Sequence, residues 1–183
     1  MAEMINYSSN GNMAEQIKSL YESVCKVLTT HCKINKMAMQ ALQAMGYNGF
    51  KRWHRYRSRQ FFEMKLCLAN EIFDKFRIKA EFKSYDVNYN PASMEEHLKS
   101  WDSVLLDGIQ ELGTLHKRFF ELTGMDNKII ESAMCKMTRD YEKVGRLIMR
   151  FTESDWLTLD MHIVDDKLHC KYKDKEEKHG FSY

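Results

Sequence analysis

The sequence predicts an all-α fold: a four-helix bundle with one long crossover between its second and third helices, followed by a short C-terminal extension. Three observations predict it. Pro91 is the single proline in the chain. Apolar residues recur with a period near 3.6 over four long stretches, the mark of amphipathic helices. Two connections between those stretches are tight and hold a glycine, at 46–49 and 124–126. The middle connection is about 16 residues, enough to run the length of a bundle, whereas tight turns join antiparallel neighbours.

The elements follow in order. Residues 1–12 are polar and read as a flexible N-terminus. The bundle occupies 13–153 and the extension 154–183. Asn12-Met13-Ala14-Glu15 has the pattern of a capping box, with Asn12 as the N-cap. Ile17, Leu20, Val24, Leu28, His31, Ala38, Leu42 and Met45 then recur mostly at helical spacing, and Gly46 ends the helix. A second helix starts near Gly49, sets Phe50, Trp53, Phe61, Met64, Leu68 and Ile72 on one face, and fades near Lys75. Between 77 and 92 the period is lost. Ile78, Ala80 and Phe82 alternate with Lys79, Glu81 and Lys83, then Asn88, Asn90 and Pro91 follow, an extended connection with strand character. Ser93-Met94-Glu95-Glu96 is a second capping box. The third helix places Leu98, Trp101, Leu105, Ile109, Leu112, His116 and Phe119 on a stripe and ends at Gly124. Asp126 stands where it would cap the fourth, which carries Ile130, Ala133, Met137, Tyr141, Val144, Ile148 and Phe151. From Trp156 the period becomes two: Leu157, Leu159, Met161 and Ile163, then Leu168, Cys170 and Tyr172. Asp165-Asp166 falls between the two runs, so the extension suggests a β-hairpin.

Composition narrows the function. A formal charge of +2 makes no global case for nucleic acid or membrane. No apolar run approaches the about 18 residues that span a bilayer. The start, Met1 to Asn12, lacks the basic and apolar regions of a signal peptide. Five scattered cysteines without a C-x-x-C pair suggest reduced thiols and a cytoplasmic location. No glycine-rich phosphate loop, G-x-S-x-G or Cys-His nucleophile arrangement is present.

Gly46-Tyr47-Asn48-Gly49-Phe50-Lys51-Arg52-Trp53 resembles the entry to the second helix of ferritins. Ile78 to Pro91 is similar in length and texture to their crossover, and the resemblance covers about residues 14–153. It implies a homo-oligomer, and it raises the question of iron. Ferritins hold two irons with a Glu on the first helix, Glu-x-x-His on the second, and carboxylates or Gln on the third and fourth. At the matching positions this chain has Leu28 on the first helix, Gln60, Phe61 and Met64 on the second, and Leu105 on the third. On the fourth it reads Asp140-Tyr141-Glu142-Lys143. Phe and Met are no ligands for a hard metal, so the resemblance comes without its usual di-iron ligands and no cofactor is expected. Iron at a rearranged site stays open, with His31, Asp102, Glu142, His162 and His169 as metal-capable candidates. His162 and His169 would face each other across the hairpin and could chelate zinc, although two ligands do not make a structural site.

Arg57 falls among Phe50, Trp53, Phe61 and Met64 and needs an acidic partner, because an unpaired buried charge costs several kcal/mol. Glu71, Asp102 or Glu142 could supply it, forming a core ion pair in place of a metal site. The run from Lys51 to Arg59 interleaves basic and aromatic residues, a pattern that also suits nucleic-acid phosphates. Arg52, Arg55 and Arg59 share a ridge that continues with Phe62, Leu66 and Phe73, so the second helix has two apolar sides. A second subunit is the cover this favours over nucleic acid or solvent. Three functions follow: a non-catalytic ferritin-like assembly or binding protein, a divergent ferritin with iron-storage or ferroxidase activity, and a mini-ferritin-like DNA-binding protein.

Overall fold

The computed structural model of the protein describes residues 11–79, 85–152 and 157–178. They form five helices: α1 (Gly11–Ala44), α2 (Asn48–Phe76), α3 (Met94–Thr123), α4 (Lys128–Thr152) and α5 (Leu157–Lys178). No strand occurs among the described residues. Residues 1–10 of the expected flexible segment 1–12 and the Ala80–Phe82 part of the crossover lie outside them.

Local chemistry sets most helix ends. Gly46 adopts φ 83°, a left-handed conformation that lets Tyr47 N–H reach back to Leu42 O at 2.9 Å and close α1. α1 already includes Gly11 and Asn12, one residue or more ahead of the cap expected at Asn12. Ser93 caps α3 as its sequence predicts, with Oγ accepting from Glu96 N–H at 3.1 Å while the Glu96 carboxylate accepts from Ala92 N–H. The cap of α4 is Asn127 rather than Asp126. Its Oδ1 accepts from the N–H groups of Ile129 and Ile130 at 3.0 and 3.1 Å, and Asp126 is exposed. Asn127 Nδ2 meanwhile reaches the Glu71 carboxylate, a second bond for an amide that a carboxylate could not make.

Side-chain pairs give the helix directions. His54 near the start of α2 meets His97 near the start of α3, so these helices run parallel. The crossover therefore returns the chain along the full length of α2, as the length of its loop predicts. Glu71 near the end of α2 meets Asn127 at the start of α4, so α2 and α4 are antiparallel. Trp53, Trp101, Tyr21, Phe50, Phe61 and Phe119 are the largest fully buried side chains, and all four bundle helices contribute to one core.

The extension is a helix, not the hairpin its alternation suggests. Met161, Asp165, Leu168 and Tyr172 recur at spacings of 4, 3 and 4 and are all buried, whereas Ile163 and Cys170 from the alternating set are exposed. Trp156 lies outside the described residues. The two-residue period masked a weaker helical stripe that finds its partner on α2. Tyr172 packs on Tyr56 at 5.5 Å, and Tyr47 stacks on His162 at 5.4 Å. Gly49 makes the approach possible, because a Cβ there would lie 1.8 Å from Asp165 O. Asp165, expected in a turn, instead accepts from Phe50 N–H at 2.8 Å. Tyr47 offers α2 no side-chain cap, so α5 supplies the missing acceptor and a negative charge at the helix N-terminus.

Candidate functional site

The middle of the bundle is built from Leu28 and His31 of α1, Phe61 of α2, Leu105 and Gly108 of α3, and Met137 of α4, all buried. The His31 ring fills the space left by Gly108, where a Cβ would sit 2.2 Å from Nε2. It packs on Phe61 and Trp101, with centroids at 5.6 and 6.1 Å. Its Nδ1 has no hydrogen-bond partner, and burial lowers its pKa to about 4, so the ring is neutral. These surroundings are those of a core histidine.

One turn on, a closed polar chain crosses the core. Asn35 Nδ2 donates to His31 O at 2.7 Å, which turns Oδ1 toward His54 Nδ1 at 2.8 Å. His54 Nδ1–H is thereby the donor and Nε2 the acceptor, receiving from His97 Nε2 at 3.2 Å. His97 Nδ1 then accepts from the Tyr89 hydroxyl at 2.9 Å. Burial, then His97, then Arg57 and Lys143 hold His54 well below its ordinary pKa, and burial brings His97 to about 4. Every ring nitrogen in this chain has a partner, so the network orders α1, α2, α3 and the crossover and leaves no open position for a ligand. Sequence reasoning missed it. The signal was present as His54 and His97 beside the core residues Trp53 and Leu98.

Arg57 pairs with Asp140 of α4, not with Glu71, Asp102 or Glu142. Nε and Nη2 meet the two carboxylate oxygens at 2.5 and 2.6 Å, a bidentate fork. Burial would lower the guanidinium, but the hydrogen bonds and charge of Asp140 outweigh it and hold Arg57 above its ordinary value. Glu71 instead serves Asn127 and Lys75, Asp102 is half-buried and raised by burial, and Glu142 is exposed. The α2–α4 geometry decides this: with Arg57 two turns into α2, the antiparallel α4 presents the middle of its own length.

Beside that pair opens a cleft of about 440 Å³ between α2, α4 and α5. Lys136, Arg139, Lys143 and Arg146 line it from α4, and Lys171 and Lys175 from α5. Lys143 Nζ is buried without a hydrogen-bond acceptor and lies 4.0 Å from the centre of the Trp53 ring. Burial first, then the Lys171 charge, brings Lys143 down to about 8. The helical spacing 136, 139, 143, 146 was legible, but only the helical α5 brings Lys171 and Lys175 opposite it.

A third constellation stands at the α3–α4 turn. His116 Nε2, buried and without a hydrogen-bond partner, lies 3.7 Å from Glu131 Oε1 and 4.0 Å from Asp126 Oδ1. One ligand atom from each falls within 4.8 Å of the others, although Lys128 also binds Glu131.

Comparison with solved structures bears on the fold. The open pore ferritin of the hyperthermophilic archaeon Archaeoglobus fulgidus superposes with a TM-score of 0.65 over 85% of this chain and 98% of its own, at 10% identity. The closed form of that ferritin, engineered by site-directed mutagenesis, gives 0.63 over 83% and 95%, at 9% identity. The fold is ferritin-like. No protein-family model matches the sequence, and no curated protein does either.

Leu28, Phe61 and Leu105 at the centre of the bundle are 0% exposed and carry no donor atom, and both oxygens of Asp140 accept from Arg57. The other metal-capable candidates are scattered. His162 and His169 stand two turns apart on α5 rather than across a hairpin, and His162 is exposed. Arg52, Arg55 and Arg59 are half-buried, each engaged by an interaction, whereas Phe62, Leu66 and Phe73 are 46%, 42% and 50% exposed.

Proposed function

We propose that this chain is a ferritin-like assembly or binding protein that works as a homo-oligomer without a canonical di-iron ferroxidase centre. One observation carries the reading: fully buried Leu28, Phe61 and Leu105 stand where the resemblance to ferritins places metal ligands. Carbon side chains there offer no lone pair to iron, and Asp140 on α4 is engaged by Arg57. The exposed ridge of Phe62, Leu66 and Phe73 supports self-association, with Arg52, Arg55 and Arg59 beside it. Metal analysis after aerobic purification, combined with a ferrous oxidation assay, tests the reading. Sub-stoichiometric iron and oxidation at the uncatalysed rate are expected. About two irons per chain with rapid oxidation would overturn it.

A second reading, a divergent ferritin that handles iron at a rearranged site, draws support from His116, Asp126 and Glu131. One nitrogen and two carboxylates suit iron or another hard divalent ion. On that reading His116→Ala abolishes the iron bound by the purified protein. A DNA-binding role for residues 51–59 has less support, since the half-buried Arg52, Arg55 and Arg59 offer less of their guanidinium groups to phosphate.

A further inference from the structure

The cleft between α2, α4 and α5 concentrates positive charge that the described residues of its lining do not neutralise. Seven cations line it, counting Arg57, and Asp140 is the one carboxylate in the lining among the described residues. Arg57 donates to both Asp140 oxygens, and Lys143 Nζ has no hydrogen-bond partner. Lys136 and Lys175 are held below their ordinary values by burial, then by the neighbouring charges of Arg57 and Lys171 respectively. Folding therefore drives like charges together at an electrostatic cost, and buries one ammonium with no acceptor. An anion in the cleft reverses both effects.

We propose that this cleft binds a compact, multiply phosphorylated anion, with the buried Lys143 at its floor and Lys136, Arg139, Arg146, Lys171 and Lys175 around its rim. The chemistry of the walls selects the class. A single carboxylate or phosphate would leave most of these cations unmatched, whereas clustered phosphates present several acceptor oxygens to Lys and Arg at once. The volume of about 440 Å³ lies at the small end of ligand sites and suits a few phosphate groups. The exposed lining is chiefly polar, with Tyr172 buried and Tyr56 half-buried, so the described walls offer little apolar surface to a nucleobase or an acyl chain. Single-stranded nucleic acid is tracked by a charged groove with aromatic faces open to its bases, whereas here the Lys175 ammonium lies over the Tyr56 and Tyr172 rings. The shared ligand chemistry is clustered phosphate, whose sources are an inorganic polyphosphate and a phosphorylated polyol. The proposal does not depend on whether the bundle handles iron.

Isothermal titration calorimetry of the full chain with tripolyphosphate, inositol hexakisphosphate, ATP and a single-stranded oligonucleotide tests it. One tripolyphosphate or inositol hexakisphosphate per chain is expected, weakening as salt rises, and the tighter of the two identifies the source. The double variant Arg139→Ser/Lys171→Ser alters two exposed side chains and should bind at least about tenfold more weakly with an unchanged melting temperature. Lys143→Met should weaken binding by a similar factor while raising the melting temperature of the ligand-free protein, which a merely structural lysine would not do. Lys117→Ser, an exposed lysine of α3, should bind as the wild type does. No heat with either phosphate compound up to about 1 mM, equal losses in the Lys117 control, or tighter binding of the oligonucleotide than of both would each overturn the proposal.

Discussion

Removing the Arg57 guanidinium leaves the Asp140 carboxylate, 3% exposed, without its two charge-assisted hydrogen bonds. Breaking a buried pair from one side costs about 3–5 kcal/mol, whereas replacing both partners by apolar groups is often neutral. Arg57→Met should therefore lower stability by about that amount in urea melts, and Arg57→Met/Asp140→Leu should recover most of it. A single variant that melts like the wild type would mean the pair has no structural role. The need for a partner was legible from Arg57 alone, since it sits among aromatic residues. Which acid answers it was not, because Asp140 and Glu142 stand two positions apart on α4 and only the rotation of that helix distinguishes them. Gly108 is similar. Its Cβ would meet the His31 ring, so Gly108→Ala should cost about 1–3 kcal/mol as an overpacked core, measured by thermal unfolding.

At the scale of elements, α5 acts as part of α2. It packs against the first turns of that helix through Gly49, and its Asp165 carboxylate supplies the cap that Tyr47 does not. Losing an N-cap typically costs about 0.5–2 kcal/mol. Asp165→Ala should therefore destabilise by about 1–2 kcal/mol, and Asp165→Asn, which keeps the acceptor oxygen, should retain most of that. Denaturant melts of the two variants decide between a capping role and a purely steric one. The same element faces the cationic cleft with Lys171 and Lys175, so a helix that the sequence pattern hid both caps the bundle and walls a candidate site.

For the molecule as a whole, the buried imidazoles set an acid limit on stability. His31 and His97 are brought to about 4 in the folded state, chiefly by burial, from an ordinary 6.5. Below pH 6.5 the unfolded chain binds protons that the folded chain refuses, so stability is full above that value and lost as pH falls toward 4. At pH 5 each histidine should have withdrawn about 2 kcal/mol relative to pH 7. Replacing His31 by Phe should flatten the part of that slope between pH 5 and 6.5, as followed by denaturant melts across pH. Assembly is tested at the same scale. Leu66 is 42% exposed on the outer side of α2. If that side meets a second subunit, Leu66→Asp should shift light scattering toward smaller particles or yield insoluble protein, because it places a charge in an apolar contact. A stable wild-type monomer at micromolar concentration would leave the ridge without the role proposed for it.

Local patterns were enough to specify the bundle. Apolar stripes at helical spacing, the glycine turns at 46 and 124, the Ser93 capping box and one long connection each act within a few residues, and together they admit few topologies. They also specified that Phe61 and Leu105, incapable of binding a metal, would stand in the core. What only the tertiary structure decided was the rotation and register of each helix against its neighbours. The partner of Arg57, the neutral chain from Asn35 to Tyr89 and the cluster at His116 depend on helix rotation and register, and a few ångströms of shift would exchange their members. The C-terminal segment shows the reason most directly. Its two-residue alternation and its helical stripe compete within one sequence, and neither is decisive in isolation. The face of α2, opened by Gly49 and ending in an uncapped N–H, offers burial and a hydrogen bond to the helix, and that contact made it the structure the segment adopts.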